Sequence, residues 1–288
     1  MAKNVKSAPT WSDESANLLK VAPGFVLGTV DAGATPGFAG NKADGQAALA
    51  AGSAELSALQ EQLFANSRAG DNRKVLLVLQ GMDTSGKGGV VRHVVGAVDP
   101  QGVSHHAFKA PTEAELRHDF LWRIRREVPT AGLIGVFDRS HYEDVLIGRV
   151  KSLAPPEEIE QRYGQITEFE QELFDDNTTV IKVMLHISAA EQKARLMERL
   201  ERPDKYWKYN PGDIDERMLW PGYQAAYQTA LERTSTAFAP WYVVPANRKW
   251  FARLAVQQLL LKALRDMVLT WPAADFDVLA ERARLAAS

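Results

Sequence analysis

One segment restricts the fold more than any other. Lys74-Val-Leu-Leu-Val-Leu-Gln80 is a short unbroken apolar run, and it leads at once into Gly81-Met-Asp-Thr-Ser-Gly-Lys-Gly88. The first fits a strand buried on both faces. The second is Gly-x-x-x-x-Gly-Lys, and Val90 to Val98 after it reads as helix. Strand, glycine-rich loop and helix in that order define a phosphate-binding loop. Backbone N–H groups around Gly81, Ser85, Gly86 and Gly88 can turn toward phosphate oxygens, Lys87 adds a point charge, and the helix adds its positive N-terminal end. The hydroxyl residue that usually follows the lysine, and would contact Mg²⁺, is here Gly88. The metal then needs another oxygen ligand, and Asp83 inside the loop is the natural one. A carboxylate among phosphates is tolerated when a divalent cation lies between them.

Further strands follow. Leu133-Ile-Gly-Val-Phe137 is a second buried run and ends in Asp138, the place of a Walker B carboxylate. In a parallel sheet the C-terminal strand ends form the ligand crevice. Asp138 is therefore expected to face the loop and share a metal with Asp83, and Arg139 to reach phosphate. Val180 to Ile187 and Trp241 to Val244 are a third and fourth strand, and His105-His106 continue a strand after Val103. Helices are expected over 55–68, from the Thr112-x-x-Glu115 capping box to about Glu127, from about Tyr142 to Val150, from Pro155-Pro156, from the Ser188-x-x-Glu191 capping box, as one long helix from Asp213, and over 249–268. Strands alternating with helices imply an α/β fold, a P-loop kinase-like parallel sheet with helices on both faces. Residues 53–270 form one such domain, 1–52 an N-terminal arm and 271–288 a C-terminal tail. The arm is rich in Ala, Gly and small polar residues, which fits either a strap around a core or partner subunit, or a partly disordered tail.

Two basic clusters stand out. Arg195, Arg199, Arg202, Lys205 and Lys208 surround Tyr206-Trp207. Arg195 and Arg202 are expected to pair with Glu198 or other acids at helical spacing. Pro203 should break the helix and leave Lys205 and Lys208 on a loop, so 195–215 reads as a lid that closes over the transferring phosphate. Arg117, Arg123, Arg125 and Arg126 form the second cluster, with Arg123 and Arg126 on roughly one side of a helix. Together the clusters line a track for a polyanion.

Composition excludes several alternatives. With 288 residues, 45% hydrophobic and 24% charged, the chain can bury a sizeable core. A net charge of −2 gives no general attraction to nucleic acid or membrane, and the absence of cysteine excludes disulfides and thiolate chemistry. The six histidines show no zinc-ligand spacing. Without a signal peptide or a membrane span, the expected location is the cytoplasm.

In combination, Gly81-Met-Asp-Thr-Ser-Gly-Lys-Gly88, Phe137-Asp-Arg-Ser-His-Tyr-Glu-Asp-Val145 and Arg199-Leu-Glu-Arg-Pro-Asp-Lys-Tyr-Trp-Lys208 resemble polyphosphate kinase family 2. So do Phe108-Lys-Ala-Pro-Thr112, Asp119-Phe-Leu-Trp-Arg123 and Ala239-Pro-Trp-Tyr-Val-Val-Pro245, and the likeness runs from about Leu56 to Leu264. The resemblance implies transfer of phosphate between inorganic polyphosphate and nucleotides with Mg²⁺, or Mn²⁺ in its place, by a homo-oligomer. It implies that Asp83 and Asp138 position metal and reacting phosphates and that Lys87, Arg139 and Arg199 contact phosphate. It places Arg123, Lys205 and Lys208 among the substrate-binding residues. Tyr142-Glu143 resembles the class III subgroup, which accepts both AMP and ADP and forms ADP and ATP, with Glu143 either holding a second metal or shaping the acceptor pocket. An ATP-dependent nucleoside monophosphate kinase, and a regulator that binds nucleotide or polyphosphate without turnover, are the alternatives.

Overall fold

The computed structural model describes residues 11–288, so the first ten residues of the expected arm lie outside the described residues. Five strands, β1 Lys74–Gln80, β2 Val103–Ala107, β3 Ile134–Asp138, β4 Thr178–His186 and β5 Trp241–Pro245, form one parallel sheet in the order β2-β3-β1-β4-β5. The expected strands are present, and the run after Val103 forms the β2 edge.

Every residue of β1 is buried. Val75, Leu77 and Leu79 pack on one face with Leu56, Leu63, Leu254 and Leu261, while Leu76 and Val78 pack on the other with Ile166, Phe169 and Tyr227. This two-sided burial is why the strand reads as a continuous apolar run rather than an alternating one. Each such side chain contributes about 1.5–3 kcal/mol by leaving water. On the first face lie two long helices, Lys42–Arg68 and Lys249–Asp266. Gly45 lets them approach, because a Cβ there would collide with the Trp250 ring. The first of these helices starts well before the residue 55 expected from periodicity. Asn41 caps it, its side chain accepting from the N–H groups of Ala43 and Asp44.

The arm straps the core. Lys20 bridges Tyr242 in antiparallel fashion, and Val21 N–H and the Leu19 carbonyl bond to Trp241 and Val243 along the free edge of β5. Leu19, Leu27 and Phe38 of the arm are themselves buried in the core. Of the two readings of this segment, the described part follows the strap.

Three expected helices are shorter than the sequence pattern suggested. The Thr112–Glu115 capping box forms, with Thr112 N–H donating to Glu115 Oε2 at 2.6 Å, but it caps a single turn, Glu115–Arg117. His118 is then extended, and the Asp119 carboxylate accepts from Leu121 N–H at 2.9 Å, starting a separate turn, Trp122–Arg125. A local side-chain acceptor competed with the helix and won. The 142–150 segment divides into a 3₁₀ turn, His141–Asp144, and a short helix, Ile147–Val150. The helix from Asp213 divides at Leu219 into Gly212–Met218 and Trp220–Thr234, with Pro221 in the first turn of the second, where a missing N–H costs nothing.

Candidate active site

The phosphate loop joins β1 to the helix Lys87–His93. Gly81 has φ +150°, and a Cβ there would lie 2.7 Å from the Leu185 carbonyl, so both backbone angle and space require glycine. Thr84 (φ +65°) and Gly86 (φ +117°) also lie in the left-handed region and curl the chain into a cradle. Lys87 is buried and folded into it, Nζ donating to the Gly81 carbonyl at 2.9 Å. The hydroxyls of Thr84 and Ser85 are buried with no hydrogen-bond partner among the described residues. Buried polar atoms are ordinarily satisfied, so these two are free to serve a ligand.

β3 delivers the second half of the site. Its register pairs Leu79 with Asp138, which sets that carboxylate beside the start of the loop. Arg139 then turns back with φ +64°, its N–H bonded to the Leu79 carbonyl at 3.0 Å and its guanidinium to Asp83 Oδ1 at 2.8 Å. Burial works against the charge of Arg139, yet Glu143, Asp83 and Asp138 together raise its pKa.

A cleft of about 640 Å³ opens over the loop and is lined by Asp83, Ser85, Gly86, Lys87, Gly88, Asp138 and Arg139. Arg199, Lys205 and Lys208, from the segment expected to act as a lid, also line it. Sequence reasoning did not find its far wall, where Arg92 and His93 of the loop helix meet Lys249 and Arg253 of the final long helix. These groups crowd one another: burial, Arg253 and Arg92 lower the His93 pKa, while burial and Arg92 lower that of Arg253. Like charges held together, with Glu198 the one nearby acid and 3.7 Å from Lys249, favour an incoming polyanion. No spacing rule links residues from helices so far apart in the chain.

The segment expected to act as a lid is internally paired. Arg199 bonds to the Lys208 carbonyl at 2.8 Å and to Asp213 at 3.2 Å, and Lys205 bonds to Glu198 at 2.5 Å. The helix of this segment runs to Glu201 and a 3₁₀ turn, Pro203–Lys208, follows it, as the break at Pro203 implied. Arg202 pairs with Glu198 and Arg195 with Glu191, both at the expected helical spacing.

On the other side of Asp83 and Arg139 lies a smaller recess of about 240 Å³, lined by Glu143, Asn210, Asp213, Glu216, Tyr223 and Tyr227. Glu143 reaches it from the turn after Asp138, and burial raises its pKa against the pull of Arg139 and Lys87. Tyr223 donates to Glu216 at 2.5 Å.

Arg123 does not join either space. It is buried, donates to the Lys109 carbonyl at 2.8 Å and approaches Asp144 at 3.9 Å, beside a separate recess. Since Lys109 lines the main cleft, Arg123 supports the cleft wall from behind. Arg125 points elsewhere, to Glu172.

The turn carrying Glu143 rests on a buried polar network. Lys182 Nζ, fully buried, donates to Glu170 Oε2 at 2.5 Å, Tyr142 Oη at 2.9 Å and the Thr234 carbonyl at 2.7 Å. Glu170 Oε1 lies 2.8 Å from Tyr142 Oη and 3.3 Å from His141 Nε2. The signal available in sequence was a lysine inside an otherwise apolar strand. No helix among the described residues is long and apolar enough to cross a membrane.

Comparison with known proteins agrees with this geometry. The polyphosphate kinase 2 (PPK2) family model matches residues 39–270. An AMP/ADP-polyphosphate phosphotransferase of Meiothermus ruber is 45% identical over 248 residues, 86% of this chain and 91% of the relative. An ADP-polyphosphate phosphotransferase of Rhodopseudomonas palustris is 42% identical over 229 residues, 75% of this chain and 78% of the relative. The crystal structure of polyphosphate kinase 2 from Arthrobacter aurescens TC1 superposes with a TM-score of 0.94 at 58% identity, covering 95% of this chain and 97% of that one. A phosphate loop facing a cationic cleft, in a chain matched over most of its length, has one reading: the protein is a kinase that belongs to the polyphosphate kinase 2 family.

Proposed function

We propose that the chain transfers the terminal phosphoryl group of inorganic polyphosphate to AMP and ADP, forming ADP and ATP, in a reversible Mg²⁺-dependent reaction. The observation that carries this reading is the meeting of two recesses of opposite character at Asp83 and Arg139, which line both. The larger has the cations a phosphate chain needs along its length. The smaller has tyrosines, an amide and carboxylates suited to a nucleotide. The names of the relatives, AMP/ADP-polyphosphate and ADP-polyphosphate phosphotransferase, support the same donor and acceptors.

Polyphosphate would lie along Arg92, Arg253 and Lys249, with its end in the phosphate loop. Loop N–H groups and Lys87 hold the transferring group, and Arg139 faces it from the β3 turn. The acceptor phosphate is already ionised at neutral pH, so the chain need supply no general base; positioning and charge neutralisation carry the rate. The lid residues Arg199, Lys205 and Lys208 exchange internal partners for phosphate oxygens and exclude water.

Asp83 and Asp138 would hold the divalent cation, Mg²⁺ or Mn²⁺. No group of three or more His, Cys, Asp or Glu among the described residues makes a resident metal cage. Two carboxylates with room for phosphate oxygens suit Mg²⁺, which takes few protein ligands and keeps waters or phosphates. Bound there, it supplies charge neutralisation between the reacting phosphates.

The test is incubation of the protein with polyphosphate and Mg²⁺ and with AMP or ADP separately, following ADP and ATP. Product from both acceptors is expected. No product from either would remove the reading, and turnover of ATP with AMP in the absence of polyphosphate would replace it with a nucleoside monophosphate kinase.

A further inference from the structure

Arg195 lines the same cleft, and its position alone would class it as a phosphate ligand. Its hydrogen bonds say otherwise. A guanidinium has five N–H donors. Here Nε donates to Glu191 at 2.7 Å. Nη1 donates to the carbonyls of Thr84 at 2.8 Å and Ser85 at 3.0 Å. Nη2 donates to the carbonyls of Ala246 at 2.6 Å and Asn247 at 3.0 Å. All the donors are spent, four of them on backbone, and the residue is only 5% exposed.

We infer that Arg195 is a positioning residue that sets the phosphate loop for phosphoryl transfer, rather than a ligand of the phosphate. The inference rests on the reading of the cleft given above and deepens it. In a planar trans peptide the N–H points opposite to the C=O. Pinning the Ser85 carbonyl toward Arg195 therefore directs the Gly86 N–H to the opposite side of the loop. Thr84, with φ +65°, stands just before this point, so the loop holds a conformation unfavoured for a non-glycine residue that something outside it must fix.

The guanidinium also joins the loop to the turn after β5. Asn247 in that turn donates its N–H to the Ala32 carbonyl of the arm at 3.0 Å, and its carboxamide exchanges hydrogen bonds with Ser188, the cap of the lid helix Ala189–Glu201, at 3.0 and 3.2 Å. Phosphate loop, lid helix and arm thus share one buried junction. Lysine cannot replace its centre, because three donors on one nitrogen do not span acceptors on two loops.

The experiment compares Arg195→Lys and Glu191→Gln with Arg253→Gln, which removes a cleft cation. Steady-state turnover is measured against polyphosphate at several salt concentrations, with amide hydrogen exchange of the loop alongside. Arg195→Lys is expected to lower kcat about 10–100-fold, as a small misplacement of reacting groups does. The slope of log KM against log salt should stay that of the wild type. Residues 81–89 should exchange faster while the sheet does not. Arg253→Gln is expected to raise KM and flatten the salt slope, since a lost contact with a polyanion releases fewer counterions. Glu191→Gln, which leaves the guanidinium in place, should shift kcat and loop exchange in the same direction but less, and it carries the test if Arg195→Lys does not fold. A raised KM with a flattened slope in the Arg195 or Glu191 variant, or loop exchange like that of the wild type, overturns the inference. Hydrogen exchange needs no turnover, so a failure of the polyphosphate reading is separately visible as an inactive wild type.

Discussion

Arg139 donates to Asp83 across 2.8 Å and so joins the turn after β3 to the phosphate loop. The pair forms the partition between the cationic cleft and the smaller acidic recess. Neither partner is deeply buried, with side chains 40% and 29% exposed, so the bond itself adds little to stability, roughly 0–1 kcal/mol. In the proposed reaction its place is where donor and acceptor phosphates would meet.

Asp83→Asn should therefore separate activity from stability. Turnover of polyphosphate with ADP is expected to fall about 10²–10³-fold, the size of effect seen when one preorganised charge stabiliser is removed. The melting temperature should move by no more than a few degrees, as suits a loss of about 1 kcal/mol or less. Asp138→Asn should behave alike. Near-wild-type turnover in either, by steady-state kinetics, would sink the metal-positioning role.

Glu143 gives a pH signature. Burial raises its pKa above the ordinary 4.5, and Arg139 and Lys87 only partly offset this. The folded state thus prefers the protonated form. Below pH 4.5 both folded and unfolded forms are protonated; as pH rises through the higher folded value, the ionised carboxylate becomes a cost. Glu143→Gln removes that cost. Without metal or nucleotide, the variant should melt above the wild type at neutral pH, and the two curves should converge as pH falls toward 4.5. A gap independent of pH would show that the carboxylate is not the cause. In turnover, AMP use is expected to fall more than ADP use.

The Lys182–Glu170 pair is a different case, because neither side chain is exposed. Burial raises the Glu170 pKa, but Lys182 and His141 outweigh it, and the carboxyl ends below its usual value. Its contribution is present above pH 4.5 and lost as pH falls through the lower folded value. Lys182→Met should cost about 3–5 kcal/mol in denaturant unfolding, since it leaves a buried carboxylate unpaired. Lys182→Met combined with Glu170→Leu should cost clearly less than the two single changes summed. Additive costs would mean the two residues do not act as a pair.

Features written in consecutive residues were legible. β1 and β3 follow from apolar runs and the phosphate loop from a motif, and Asp138 follows from where a parallel strand ends. The Thr112 helix was misjudged because Asp119 offers Leu121 N–H a nearby acceptor, a competition that periodicity does not register. Arg195 was read through its helical neighbours, and one bond, to Glu191, is indeed of that kind. Its other four acceptors are carbonyls of the loop after β1 and the turn after β5, brought together by the fold. The far wall of the cleft was hidden for the same reason. Arg92 and Arg253 meet only after the sheet has ordered its helices.

Glu198 supplies the last prediction, and its direction is opposite to the usual loss on mutation. It is an acid in the wall of a cationic cleft, 2.5 Å from Lys205, 3.2 Å from Arg202 and 3.7 Å from Lys249. Without phosphate it neutralises cations that would otherwise repel one another; with polyphosphate present it competes for them. Its exposure of 37% keeps each pair weak, at most about 1 kcal/mol. Glu198→Gln should then lower the KM for polyphosphate about 2–5-fold, the equivalent of ~0.5–1 kcal/mol. It should also steepen the salt dependence of KM, because the freed cations contact phosphate instead. Where opening of the lid limits turnover, kcat falls as KM does, since tighter lid contacts release product more slowly. A KM that rises in Glu198→Gln would mean that the carboxylate orients the lid cations toward the phosphate chain rather than withholding them from it.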